Sequence, residues 1–326
     1  MAVSKVVVLP HLDASAYQRH TLHADDRVWV EKNCYVDIWI EVLHALGLDP
    51  VAMLPFVAAL DFEGDQWTFF KPPHDELRDL YGLDVSELNV WRPLAEHAQL
   101  HLGDGKLIST EADAFYLPDT AGTDYQRQHT KTTIVIQEFD LERQRLGYFH
   151  NAGFYALEGD DFVQLFRVGM PHDPTFMPLF AELIRVDRLV RRPAAELRSR
   201  ARELLRRHLA HRPTDNPVLR FGARFQHDLP WVTDKGLAFY HSWAFATVRQ
   251  LGAAFELLSL HLAWHEDPSL EPAVEAFAKL SQSAKAFILK AARAVNGKRA
   301  LDASAMFDEM AASWQSGMDT LAARLS

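Results

Sequence analysis

The spacing of apolar residues changes about half-way along the chain. Before residue 175, short runs rich in β-branched and aromatic residues alternate with Gly, Pro and Asp, the pattern of strands and turns. Segments 65–73, 106–118, 131–139 and 145–153 predict strands. Segments 31–47, 75–82 and 90–103 predict helices. Beyond residue 175, apolar residues recur at three- and four-residue spacing, the signature of amphipathic helices. Segments 177–211 (broken near Pro193), 236–265, 270–295 and 304–325 follow this period. The pattern predicts an α+β front domain with an antiparallel sheet over residues 1–174. A helical bundle packed on it follows over 175–326.

Segment 31–47 has the most regular stripe. Tyr35, Ile38, Trp39, Val42, Leu43 and Leu46 share one face, with Asn33 suited to the N-cap and Gly47 to the stop. Cys34, the sole cysteine, is then the first residue inside the helix. Three roles suit it: a small buried hydrophobe, a metal ligand or a nucleophile. Unpaired amides and the positive dipole end gather at a helix start, and both favour thiolate. Asp37 and Glu41 oppose this unless they are themselves paired.

A catalytic thiol needs a base, and the base an orienter. Segments 130–137 and 145–150 predict an antiparallel hairpin through the charged turn between them. With its centre at Asp140 or Leu141, His129 faces Asn151, a base beside an amide. The plain alternative is a polar strand end beside an ordinary turn. Asp113 ends the preceding strand, positioned to orient the base, bind substrate or cap a turn. The segment 117–128 after it, with Gly122, suits a lid.

The stretches NCYVDIWIEVLHALG, DFEGDQWTFFKPPHDELRDLYG, DAFYLPDTAGTDYQRQHTKTTI and GYFHNAG resemble a bacterial family of unknown function, over roughly residues 28–170. More distantly they resemble the N-terminal domain of the butirosin-biosynthesis acyltransferase, which is similar to papain-like and double-glycine leader peptidase folds. The shared features are a Cys at a helix start, a strand ending in Asp113 with Tyr116 after it, and a His opening a hairpin strand. The resemblance implies a papain-like front domain with a Cys-His-Asn type triad: Cys34 as nucleophile, His129 as base, Asn151 as orienter with His150 adjacent. No upstream oxyanion glutamine matches, and Asn33 or backbone amides at Cys34 would replace it. The implied reaction is acyl or aminoacyl transfer from a carrier-protein thioester to an amine. The alternatives are a cysteine amide or thioester hydrolase, and an inactive papain-like scaffold. No cofactor is expected to be bound, apart from a phosphopantetheine-linked substrate.

Composition narrows the partners. A net charge of −10 argues against broad nucleic-acid binding. One cysteine excludes a disulfide framework and Cys-rich zinc sites. No apolar run approaches a bilayer span or a secretory core, so the expected compartment is the cytoplasm. Within 185–212, ten arginines face only Asp187, Glu196 and Glu203. Arg198, Arg202, Arg206 and Arg207 suit docking of an acidic acyl carrier protein, or form a solvated helix face. His261 and His265 have zinc-compatible spacing but no third ligand, and no metal is expected.

Overall fold

A computed structural model describes residues 5–171, 173 and 175–325. Among the described residues are seven strands in one sheet and ten α-helices. The chain divides into two units. The first comprises Met1–Ala24, Cys34–Pro50 and His74–Arg192; the second comprises Asp25–Asn33, Val51–Pro73 and Pro193–Ser326.

The first unit holds the sheet. Its strands are β1 (Lys5–Val7), β2 (Asp84–Glu87), β3 (Leu107–Asp113), β4 (Lys131–Asp140), β5 (Arg145–His150), β6 (Gly153–Glu158) and β7 (Ala181–Arg185). Their order is β2-β7-β3-β4-β5-β6, with β1 also beside β4, and every pairing is antiparallel. Helix α1 (Cys34–Ala45) packs on β4, β5 and β6. Helix α2 (His74–Tyr81) lies by β2. Helices α3 (Leu94–Gly103) and α4 (Asp160–Phe166) share a core with the sheet: Ala98, Leu102, Ile134, Ile136, Tyr148 and Phe162 lie in it.

Helix α1 starts at Cys34, as its stripe predicts. Gly47 takes φ +67° just beyond it, and the Leu48 amide donates to the Leu43 carbonyl at 2.9 Å, closing the helix end. Burial extends past the stripe: Val36, Ile40, Asp37 and Glu41 are also inaccessible. The predicted strand at 65–73 is absent; Phe62 and Trp67 form only an isolated bridge. Where a helix is predicted from Met177, the chain instead forms β7, closing the gap between β2 and β3. A five-residue strand is too short to display an alternation that would betray it.

The second unit contains α5 (Ala194–Ala210), α6 (Pro217–Lys235), α7 (Leu237–Ala244), α8 (Gln250–Trp264), α9 (Glu271–Asn296) and α10 (Ser304–Leu325). Helix α6 is an addition to the predicted set. Asn216 caps it by accepting from the Val218 amide at 3.1 Å, and Pro217 sits at its first position. Helices α7 and α8 run on through a π turn at Phe245–Arg249, where the Thr247 hydroxyl donates to the Trp243 carbonyl.

His261 and His265 meet on α8. His261 Nδ1 donates to the Val51 carbonyl at 2.9 Å, so its Nε2 accepts from His265 Nε2 at 3.2 Å. Burial lowers His261 to about 3, with His265 adding to the effect. Burial, then Arg202 and Arg198, lowers His265 to about 4. Unfolded, both residues bind protons near pH 6.5. Between pH 6.5 and 4 the unfolded chain therefore holds more protons than the folded one, and stability falls as pH falls. Urea unfolding from pH 7 to 4 should show this decline, and His261→Gln with His265→Gln should flatten it. An unchanged pH slope in that variant would assign the acid sensitivity elsewhere.

Candidate functional site

The site lies where β3 ends, β4 begins and β5 ends. Asp113 pairs with Lys131, Ala112 with Thr132, and Glu111 with Thr133. Strand β5 stops at His150, whose partner beyond the turn is Gly153. Cys34, at the start of α1, is only partly buried there. Burial pushes its thiol pKa up, and Asp37 adds to this; the Thr133 and Thr132 hydroxyls and the Lys131 charge act in the opposite direction. The net displacement is upward, which opposes the activation expected of a helix-start cysteine. Iodoacetamide should therefore alkylate Cys34 more slowly than free cysteine at pH 7, with the rate still rising above pH 9. Reaction faster than free cysteine at pH 6 would overturn that picture.

Thr132 carries the network inward. Its hydroxyl lies 2.8 Å from His150 Nε2, and His150 Nδ1 lies 2.5 Å from Asp119 Oδ2. The Tyr148 hydroxyl donates to the other Asp119 oxygen. A carboxylate only accepts, so Asp119 fixes the hydrogen on His150 Nδ1. Nε2 is then the acceptor, and the Thr132 hydroxyl donates to it. The Thr132 oxygen keeps its lone pairs, open to a thiol donor. His150 is 1% exposed, and Asp119 is nearly as enclosed. Burial, then Asp119, holds the Tyr148 hydroxyl far above its ordinary pKa, so it remains a donor.

The predicted residues fall into separate groups. His129 does not meet Asn151. The hairpin turns over Leu141–Gln144, later than the expected centre, and a bulge shifts the register between Ile136 and Glu138. Extending the pairs Ile136–Tyr148 and Val135–Phe149 by two steps puts Thr133, not His129, level with Asn151. Asn151 opens the β5–β6 turn with φ 44°. His129 instead donates from Nδ1 to Asp113 Oδ2 at 2.6 Å. It stacks on Phe115 at 4.4 Å and meets Tyr116 edge-on, largely in solvent. The other Asp113 oxygen accepts from the Phe115 amide at 3.0 Å. Cys34 with His150 and Asp113 with His129 and Tyr116 are thus two clusters at one end of the sheet. Asn33 belongs to the second unit, where its amide donates to the Phe70 carbonyl and to Gln250.

Segment 117–128, expected as a lid, is tied down. The Thr120 hydroxyl bonds the Ala114 and Leu117 carbonyls, Asp119 holds His150, and Tyr125 donates to Asp161. Thr132, Asp119 and Tyr148 carry the network, and sequence reading passed over all three. The only local signal is Asp119 directly after the Tyr116-Leu117-Pro118 stretch.

Asp37 and Glu41, which would repel a thiolate, are paired after all. His23 lies between them, 3.0 Å from Asp37 and hydrogen-bonded to Glu41, and all three are inaccessible to solvent. Glu41 also accepts from the Tyr17 hydroxyl at 2.6 Å and the His20 amide at 3.1 Å. The arginine run is largely neutralised within each unit. In the second unit, Arg198 forks onto Glu266 at 2.7 and 2.8 Å, Arg202 bonds Asp267 at 2.7 Å, and Arg206 bonds Glu203 and the Leu325 carbonyl. Arg207 also has a partner. Among the described residues, no group of three or more His, Cys, Asp or Glu side chains is placed to hold a metal ion. No helix among them is long and apolar enough to cross a membrane.

Comparison with known proteins places the chain in a family. The DUF1839 N-terminal domain matches residues 18–186 and the DUF1839 C-terminal domain matches residues 194–323. The chain belongs to the DUF1839 family. No curated protein matches it.

Proposed function

We propose that this DUF1839 chain is a cysteine-dependent acyltransferase acting in the cytoplasm, with Cys34 as nucleophile and His150, oriented by Asp119, as its base through Thr132. The observation that carries the reading is the directed chain from Thr132 to His150 to Asp119, with contacts of 2.8 and 2.5 Å. The likeness to papain-like folds and to the butirosin-type acyltransferase domain supports the same chemistry. That likeness places the nucleophile at Cys34 and the base at His129; the reassignment of the base to His150 rests on its bonds to Thr132 and Asp119.

The thiol proton passes to the Thr132 oxygen as the Thr132 proton passes to His150 Nε2. The resulting imidazolium is stabilised by Asp119. The Cys34 thiolate attacks the carbonyl of a thioester, and the positive end of the α1 dipole stabilises the oxyanion. The donor C–S bond breaks, and its sulfur leaves with the proton returned along the same path. An amine then attacks the Cys34 acyl thioester, and its proton returns through the relay to the Cys34 sulfur. Thioester exchange between two thiols is nearly balanced in energy, so a thiol without a lowered pKa can carry it once a base is supplied. The donor is a thioester of a carrier protein or of its phosphopantetheine arm. The arginines Arg198, Arg202 and Arg206 are engaged with acidic partners and are not assigned to docking it.

The raised Cys34 thiol favours a second reading, a binding protein without turnover. Intact-mass spectrometry after incubation with short acyl and aminoacyl pantetheine thioesters separates the two. The expected result is one acyl adduct, lost in Cys34→Ala and released by an added amine. Absence of any adduct with a folded protein would leave the scaffold reading. Release by water as fast as by amine would make the chain a hydrolase.

A further inference from the structure

Beyond the Cys34 site, the first unit has a cavity of about 310 Å³ between the start of α3 and the chain after α4. Val90, Leu94, Leu165 and Phe166 give it an apolar lining. Two guanidinium groups stand at it. Arg92 lies 4.0 Å over the Trp91 ring, and Arg167 lies 4.5 Å over the Phe176 ring. Trp91 and Phe176 are themselves exposed, at 71% and 45%. A guanidinium over a ring face makes its contact through the carbon and leaves N–H donors to grip a carboxylate. Their existing ion pairs are long: Arg92 to Glu96 at 3.9 Å and Arg167 to Asp173 at 3.8 Å. Arg92 Nε, enclosed, has no hydrogen-bond partner.

The geometry points to a binding site for a small carboxylate with an aromatic or short aliphatic body. The volume is at the lower end for ligand pockets, which suits a body of fragment size. Large exposed aromatic rings beside a cavity are what such a body would cover. Glu96 and Asp173 offset the two guanidinium charges, so the site offers donors rather than net positive charge, and one negative charge costs less to bring in than two. A neutral body of the same shape would gain the apolar contacts and forgo the charge-assisted bonds.

Isothermal titration of the intact chain with 4-phenylbutyrate, against 4-phenylbutanamide, tests this without any variant. The expected result is saturable binding of the carboxylate, with the amide at least about tenfold weaker. Arg92→Gln with Arg167→Gln should weaken the carboxylate by a similar factor and leave the amide unchanged. Cys34→Ala should bind both as the parent does, which separates this site from the proposed catalytic one. Equal binding of carboxylate and amide, or no saturable binding of the carboxylate up to about 10 mM, would overturn the proposal. Undiminished carboxylate binding in the folded double arginine variant would do the same.

Discussion

Thr132→Val will lower the turnover of an acyl-transfer assay by about 100- to 10,000-fold, the range for losing general acid–base assistance. Valine keeps the shape of threonine and removes the hydroxyl that bonds His150 Nε2, the link the proposed relay requires. His150→Gln and Asp119→Asn should fall into the same range, because the relay fails at any link. Combining Thr132→Val with His150→Gln should cost no more than either alone, as expected of groups that act as a unit. Thr132→Ser restores the hydroxyl and should recover most of the rate. His129→Gln should change turnover by no more than about threefold, since its imidazole is committed to Asp113 and Phe115. A pH–rate profile adds a second readout: the limb belonging to the base should vanish in Thr132→Val and persist in His129→Gln. Full activity in Thr132→Val with a dead His129→Gln would return the base to His129.

His23→Ala will destabilise the fold by about 3–5 kcal/mol, the usual loss when one partner of a buried ionic group is removed. Asp37 and Glu41 are both inaccessible, and His23 bonds each of them. Without the imidazole, two carboxylates four residues apart on α1 face one another in a dry interior. Adding Glu41→Gln should recover part of the loss, because the amide oxygen still accepts from Tyr17 and His20 while one charge is gone. Urea unfolding monitored by fluorescence measures both variants. A loss below about 1 kcal/mol in His23→Ala would mean that water or a neighbouring donor replaces the ring. The same substitution should raise the Cys34 thiol further, because Asp37 already acts on it in that direction.

Much of the first unit was legible locally. The apolar stripe of α1, its start at Cys34 and its end at Gly47 follow from residue types within one helix length. The β4–β5 hairpin was legible because both strands are long and β-branched around a charged turn. Strands β1, β2 and β7 were not: three to five residues cannot display a period, and partners distant in the chain define them. Strand β6 was missed because its start merges with the turn after His150.

The candidate site divides in the same way. Residue chemistry alone singled out Cys34, His129, Asn151 and Asp113, since reactive side chains at element ends stand out in a sequence; His150 entered only through the resemblance, beside Asn151. Which of them meet depended on the bulge at Gln137 and on the Leu141–Gln144 turn, each moving the register and so the opposing residue. Sequence by itself determined the elements that carry the chemistry, because helix and strand periods are local properties of the chain. Only the tertiary structure decided that the Thr132 hydroxyl meets His150, that His150 rather than Asn151 closes the network, and that His23 bonds both Asp37 and Glu41. Those outcomes depend on side chains 14 to 31 residues apart arriving within hydrogen-bond range, and no local pattern encodes such distances.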